Sequence, residues 1–187
     1  MTDPDPTVVD EATSDEVVVD PEQRRRCLWT LGLMAAGVVI LDQLVKAWVV
    51  ADLKPRIESG EGPIVLLGGL LKFTYVENTG AAFSFGAGYT WIFSIVAVIV
   101  AIVILRTSRR LGSIWWAVAL GGLLGGLLGN LIDRLIRPPS PGMGYVVDFI
   151  QLPNFAVFNI ADMFITCSAA LMVILALRGI ELTGARS

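Results

Sequence analysis

Four runs of apolar residues, at 28–51, about 89–105, 114–132 and 158–177, are each long enough to cross a hydrocarbon layer about 30 Å thick as a helix. That repeated length leaves few alternatives. The expected fold class is an all-α membrane protein with four transmembrane helices, and 55% hydrophobic residues with a mean hydropathy of +0.70 agree with it. A cleaved signal peptide is the rival reading of the first run. Its length, the polar segment ahead of it and the lack of a small-x-small cleavage site all count against that reading.

Charge is unevenly distributed. Residues 1–23 hold eight acids and no base, so the rest of the chain carries fourteen bases against nine acids. That opening segment has no apolar face and reads as a disordered tail. The expected layout is an acidic cytosolic tail with a basic flank over 1–27, a membrane domain over 28–178 and a C-terminal cytosolic tail over 179–187. Arg24, Arg25, Arg26, Arg106, Arg109, Arg110, Arg178 and Arg186 fall on one side of the four runs, against Lys54, Arg56, Lys72, Arg134 and Arg137 on the other. The positive-inside bias then puts both termini in the cytosol and residues 52–88 and 133–157 outside.

The first outer segment has two apolar, partly β-branched runs parted by Gly68 and Gly69, and residues 63–77 read as a hairpin in a small extracytoplasmic β-sheet element. The second is dense in Pro and Gly before a short extended run, and reads as a loop that delivers Asp148. In the third run, Gly121, Gly122, Gly125, Gly126 and Gly129 give the four-residue spacings that let another helix approach closely. Cys27 and Cys167 read as small buried hydrophobes with no disulfide.

The chain has no histidine, which removes Ser-His-Asp and Cys-His nucleophile systems and disfavours a zinc protease. No metal or cofactor is expected. What the apolar runs do hold is carboxylates. Asp148 and Asp162 lie among Val, Phe and Ile with no base within ten residues of either. Asn130, Asp133 and Arg134 share one helical face, Asn159 and Asp162 repeat the Asn-x-x-Asp spacing, and Asp42 lies toward the same layer with Lys46 one turn on. An ionisable group in a span costs about 2.5–3.5 kcal/mol even on the mildest scale, so such groups are functional candidates. Asp133 with Arg134, and Asp42 with Lys46, also read as satisfied structural pairs. Two carboxylates in an apolar setting resist joint ionisation, and one ionised and one protonated member form an acid/base pair able to hydrolyse an amide.

LDQLVK (41–46), ENTGAAFS (77–84), GGLLGNLIDRL (125–135), VVDF (146–149) and FNIAD (158–162), in this order and spacing, resemble the lipoprotein signal peptidases, or signal peptidase II. The resemblance covers about residues 28–178. It implies a bacterial inner-membrane aspartyl endopeptidase that cuts prolipoproteins immediately before a diacylglyceryl-modified cysteine, with its site near the extracytoplasmic face. Asp148 and Asp162 match the catalytic dyad. Asn78, Asn130, Asp133, Arg134 and Asn159 match polar positions that shape the site and hold substrate backbone, and Asp42 matches a supporting acid. The expected partners are lipid-modified prolipoproteins and membrane lipids, with no nucleic acid, and the chain is expected to be a monomer. The stretch IRPPSPGM is longer than the link expected there, and Asp133 remains an alternative to Asp148 as the partner of Asp162. A proton-coupled carrier and a noncatalytic scaffold are the rival functions.

Overall fold

The computed structural model describes residues 19–80 and 90–186. The expected tail over 1–18, the start of the second span at 89 and residues 81–84 of the ENTGAAFS stretch lie outside the described residues.

The first helix, α1 (Pro21–Trp48), begins where Asp20 accepts hydrogen bonds from the N–H groups of Glu22 and Gln23 and proline occupies the first turn. It therefore starts before the expected boundary at 27, and Arg24, Arg25 and Arg26 belong to the helix rather than to the tail. It runs on through a π-helical segment, Val49–Leu53, into α2 (Lys54–Glu58). The other long helices are α3 (Thr90–Thr107), α4 (Ile114–Ile136) and α5 (Ile160–Leu177). Among the described residues four helical segments are long and apolar enough to cross a membrane, as expected from the four runs.

The bundle is built on α4. Of its most apolar window 56% is buried, against 22% or less in each of the other spans. The glycines explain why two neighbours fit so closely. A Cβ on Gly121 would lie 2.7 Å from the Leu31 carbonyl oxygen, and one on Gly125 would lie 2.7 Å from Cβ of Val38, so these two seat α1. A Cβ on Gly126 would lie 2.5 Å from the Ala161 carbonyl oxygen, so this glycine seats α5.

At one end of the bundle lies a three-stranded antiparallel sheet in the order β1-β2-β3, formed by β1 (Ile64–Leu66), β2 (Leu71–Asn78) and β3 (Val146–Gln151). The expected hairpin is β1 with β2, turned at Gly68 and Gly69, both with positive φ. Asp148 is not carried on a loop: it lies in β3, opposite Val76 of β2. Val147 and Phe149 pack with Val49 and Leu53, which fixes the sheet to the end of the first helix.

The Pro-rich connection folds back onto α4. The N–H groups of Gly142 and Gly144 both donate to the Arg134 carbonyl, at 2.8 and 3.0 Å, and the Ser94 hydroxyl donates to the Gly142 carbonyl at 2.8 Å. The longer link thus satisfies the last turn of α4 and ties it to α3 before the chain enters β3. At the opposite end, residues 180–186 do not form a free tail. Gly112 and Ser113 donate to the Leu182 carbonyl, and the Trp116 indole donates to the Ile180 carbonyl at 2.8 Å. Both cysteines are free, but only Cys27 is buried; Cys167 faces outward from α5, contrary to the expectation that both are buried.

Gly126→Val should push the start of α5 off α4 and cost about 1–3 kcal/mol, read as a lower Tm in detergent. Gly32→Ala, where a Cβ meets nothing within 4 Å, should leave Tm unchanged or slightly raised.

Candidate active site

The sheet end of the bundle gathers every polar residue singled out in the sequence. The last turns of α4 present Asn130, Asp133, Arg134 and Arg137, which share a face at helical spacing. Asn159 caps α5 in a reciprocal box: its side chain accepts from the Asp162 N–H at 3.0 Å, and the Asp162 carboxylate accepts from the Asn159 N–H at 3.2 Å. Asp148 comes from β3, Asn78 from the end of β2, and Asp42 with Lys46 from α1.

Around the two aspartates each carboxylate oxygen has its own donor. The Asn159 amide donates to Oδ1 of Asp148 at 2.6 Å, and the Asn78 amide donates to Oδ2 at 2.7 Å. The Asn130 amide donates to Oδ1 of Asp162 at 2.8 Å, while the Asn159 backbone holds Oδ2. Asn159 therefore touches both acids and ties them into one unit. Each oxygen keeps a second lone pair for a proton or a water.

A second layer lies behind this one. The Lys46 ammonium, fully buried, contacts Oδ2 of Asp42 at 2.8 Å and Oδ2 of Asp133 at 3.0 Å and donates to Oδ1 of Asn130 at 2.9 Å. Asp133 also accepts from Arg137 Nε at 2.9 Å, and the Gln43 amide reaches Asp42, Asp133 and the Gly129 carbonyl. Asp133 is thus occupied by two cations, unlike Asp148 and Asp162, whose side-chain partners are amides. Its surroundings therefore differ from theirs.

A cleft of about 270 Å³ opens beside Asp162, lined by Asn78, Phe93, Leu127, Asn130, Arg134 and Ile165 among others. Asp148 is 1% exposed and stands behind Asn78, so the two acids differ in access as well as in partners. Burial pushes the Asp148 carboxyl up to about 6, helped by the nearby Asp162 and opposed by the hydrogen bonds from Asn78 and Asn159. Asp162 sits in the first turn of α5 and lines the cleft, its carboxylate accepting from the Asn130 amide and the Asn159 N–H. Two acids, one buried and disposed to hold a proton and the other open to the cleft, have the asymmetry that acid/base hydrolysis needs. The Arg134 guanidinium lies 5.4 Å from the centre of the Phe93 ring at the cleft wall.

The sequence reading placed Lys46 only as a neighbour of Asp42, and Gln43 and Arg137 were not singled out. A lysine inside an apolar span was the signal for the first. Gln43 finds Gly129 only through the fold, whereas the i+4 spacing of Arg137 from Asp133 was a signal in the sequence.

Comparison with known proteins gives a consistent likeness. The family model described as Signal peptidase (SPase) II matches residues 34–178. The lipoprotein signal peptidase of Leifsonia xyli subsp. xyli is 48% identical over 157 residues, covering 83% of this chain and 70% of that one. That of Rhodococcus jostii is 44% identical over 165 residues, covering 88% and 79%. A solved bacterial membrane enzyme, determined by the in meso method at 1.9 Å, aligns with a TM-score of 0.69 at 30% identity, over 81% of this chain and 94% of that one.

Asp133→Asn should strip the shared anion from Lys46 and Arg137 and cost about 3 kcal/mol, measured as a fall in Tm. Complete loss of activity at an unchanged Tm would instead make Asp133 the partner of Asp162.

Proposed function

The chain belongs to the signal peptidase II family, the aspartic peptidases that cleave signal peptides from prolipoproteins, and we propose that Asp148 and Asp162 are the pair that does so here. The observation that carries this reading is Asn159, which hydrogen-bonds both carboxylates beside a cleft that Asp162 lines. Asp162, ionised and open to the cleft, takes a proton from water as the water attacks the scissile carbonyl. Asp148, protonated, supplies a proton to the carbonyl oxygen, giving a gem-diol; as this collapses, Asp162 passes the proton it took from water to the leaving amine and a gem-diol hydroxyl returns one to Asp148, so the pair ends as it began. Asn78, Asn130 and Asn159 hold the carboxylates in place, and Arg134 with the cleft's amides holds the substrate backbone.

The protein is a multi-pass membrane protein, and the cleft walls of Phe93, Val96, Leu127, Leu131 and Ile165 are apolar. At about 270 Å³ the cleft suits the scissile segment rather than a whole diacylglyceryl peptide, whose chains would lie along the helices. With both termini cytosolic, the sheet and the site face the extracytoplasmic side. A signal helix and lipid anchored in the same leaflet then bring the bond before the modified cysteine to the pair by lateral diffusion.

Incubating the purified protein with a diacylglyceryl-modified prolipoprotein and with its unmodified twin tests the reaction: only the modified substrate should be cut, before the lipidated cysteine, and equal cutting of both would contradict lipid recognition. Asp148→Asn and Asp162→Asn should each lower kcat by about 10⁴-fold while the protein remains folded in detergent; near-normal turnover by either removes that residue from the pair. The pH dependence has a definite sign. Asp148 acts as the protonated member and is held up to about 6 by burial, so kcat/KM should fall as pH rises through about 6. The corresponding limb of kcat should lie higher, because bound substrate displaces more water from the pair.

A further inference from the structure

Lys46 takes no part in the chemistry just described, yet its ammonium is fully buried and saturated. Its three protons meet three acceptors: Oδ2 of Asp42 at 2.8 Å, Oδ2 of Asp133 at 3.0 Å and Oδ1 of Asn130 at 2.9 Å. A cation needed only to tie two helices together would require one anion. Here both anions have a further partner, and the two partners are alike. The second oxygen of Asp42 accepts the Ala161 N–H at 3.0 Å, and Asp133 accepts the Val147 N–H at 3.1 Å. Ala161 directly precedes Asp162, and Val147 directly precedes Asp148. Each arm of the lysine cluster therefore grips the backbone one residue before a member of the pair.

The third acceptor adds orientation to spacing. Oδ1 of Asn130 takes a hydrogen bond from Asn159 Nδ2 at 3.1 Å as well as from Lys46, which fills both of its lone pairs. Turning the Asn130 amide over would set its NH2 against an ammonium and another NH2. An ammonium has no acceptor to offer, so the amide is fixed with Nδ2 toward Oδ1 of Asp162.

We propose that Lys46 is a positioning residue for the hydrolysis: through Asp42 and Asp133 it sets the separation of the backbone segments carrying the pair, and through Asn130 it holds Asp162 as a hydrogen-bond acceptor. This rests on the reading of Asp148 and Asp162 as the catalytic pair, and it assigns a specific task to the only cation that contacts both supporting acids among the described residues.

The test uses the full-length protein in an Asp42→Asn background, so that replacing Lys46 does not leave two unpaired buried anions; Asp133 keeps Arg137. Lys46→Met and Lys46→Gln are compared in that parent with a diacylglyceryl-modified prolipoprotein. They are alike in charge and similar in size, but only Gln can donate to Asn130. Both should melt within about 5 °C of the parent. The Met variant should lose about 10²-fold in kcat with KM changed less than about threefold, and the Gln variant should recover about tenfold of that loss. Equal kcat in the two variants, parent-like kcat in the Met variant, or unfolding of both would overturn the proposal, the last because Lys46 would then serve the fold alone. Failure of the unaltered protein to cleave, or full activity of its Asp162→Asn variant, would instead remove the catalytic reading on which the proposal stands.

Discussion

The sheet end is arranged around one ammonium group shielded from water. Taking Lys46, Asp42 and Asp133 out of solvent costs several kcal/mol per ion, and their mutual attraction offsets that only when the remaining hydrogen-bonding positions are filled. They are filled here, by Asn130, Gln43, Arg137 and the backbone N–H groups of Ala161 and Val147. The cluster joins α1, α4, the start of α5 and β3, four segments far apart in the chain. Helices that meet in lipid gain nothing from excluding water, so close glycine contacts and a saturated polar cluster are what hold their relative positions.

The same packing shapes the two aspartates. Glycines on α4 let α1 and α5 approach it, which brings Asp42 beside Gly129 and Asp162 beside Asn130. The Pro-rich connection turns back on the last turn of α4 and starts β3 where Asp148 is covered by Asn78 and Asn159. One acid ends in a strand with both oxygens capped by amides, and the other sits in a helix's first turn beside the cleft. Similar side chains in dissimilar settings are the physical basis of the division of roles proposed for them.

Much of this was legible in the sequence, for reasons that differ by element. The four spans show in length and hydropathy, and the hairpin in Gly68-Gly69 between alternating runs. Asp148 and Asp162 stand out because carboxylates are costly among Val, Phe and Ile. The third strand was legible only as a short extended run; its place in the sheet was not, since β3 pairs with β2 across the sequence separating Glu77 from Val147. Nor was the early start of α1, whose acidic first turn matches a disordered tail in composition, although Asp20 followed by Pro21 is a helix-start signal. The scope of Lys46's contacts was hidden for the same reason as β3: local spacing shows Asp42, but Asp133 and Asn130 come from another helix.

The central claim is that the two aspartates hold one proton unequally, with Asp148 the protonated member. Difference infrared spectroscopy of the unaltered protein against its Asp148→Asn variant, in detergent micelles from well below to well above pH about 6, is the direct test. A protonated-carboxyl C=O band belonging to Asp148 should be present at low pH and titrate away with a midpoint at about 6. A band that persists in the Asp148→Asn variant and disappears in Asp162→Asn, or no protonated carboxyl at any pH where the enzyme is active, would contradict it.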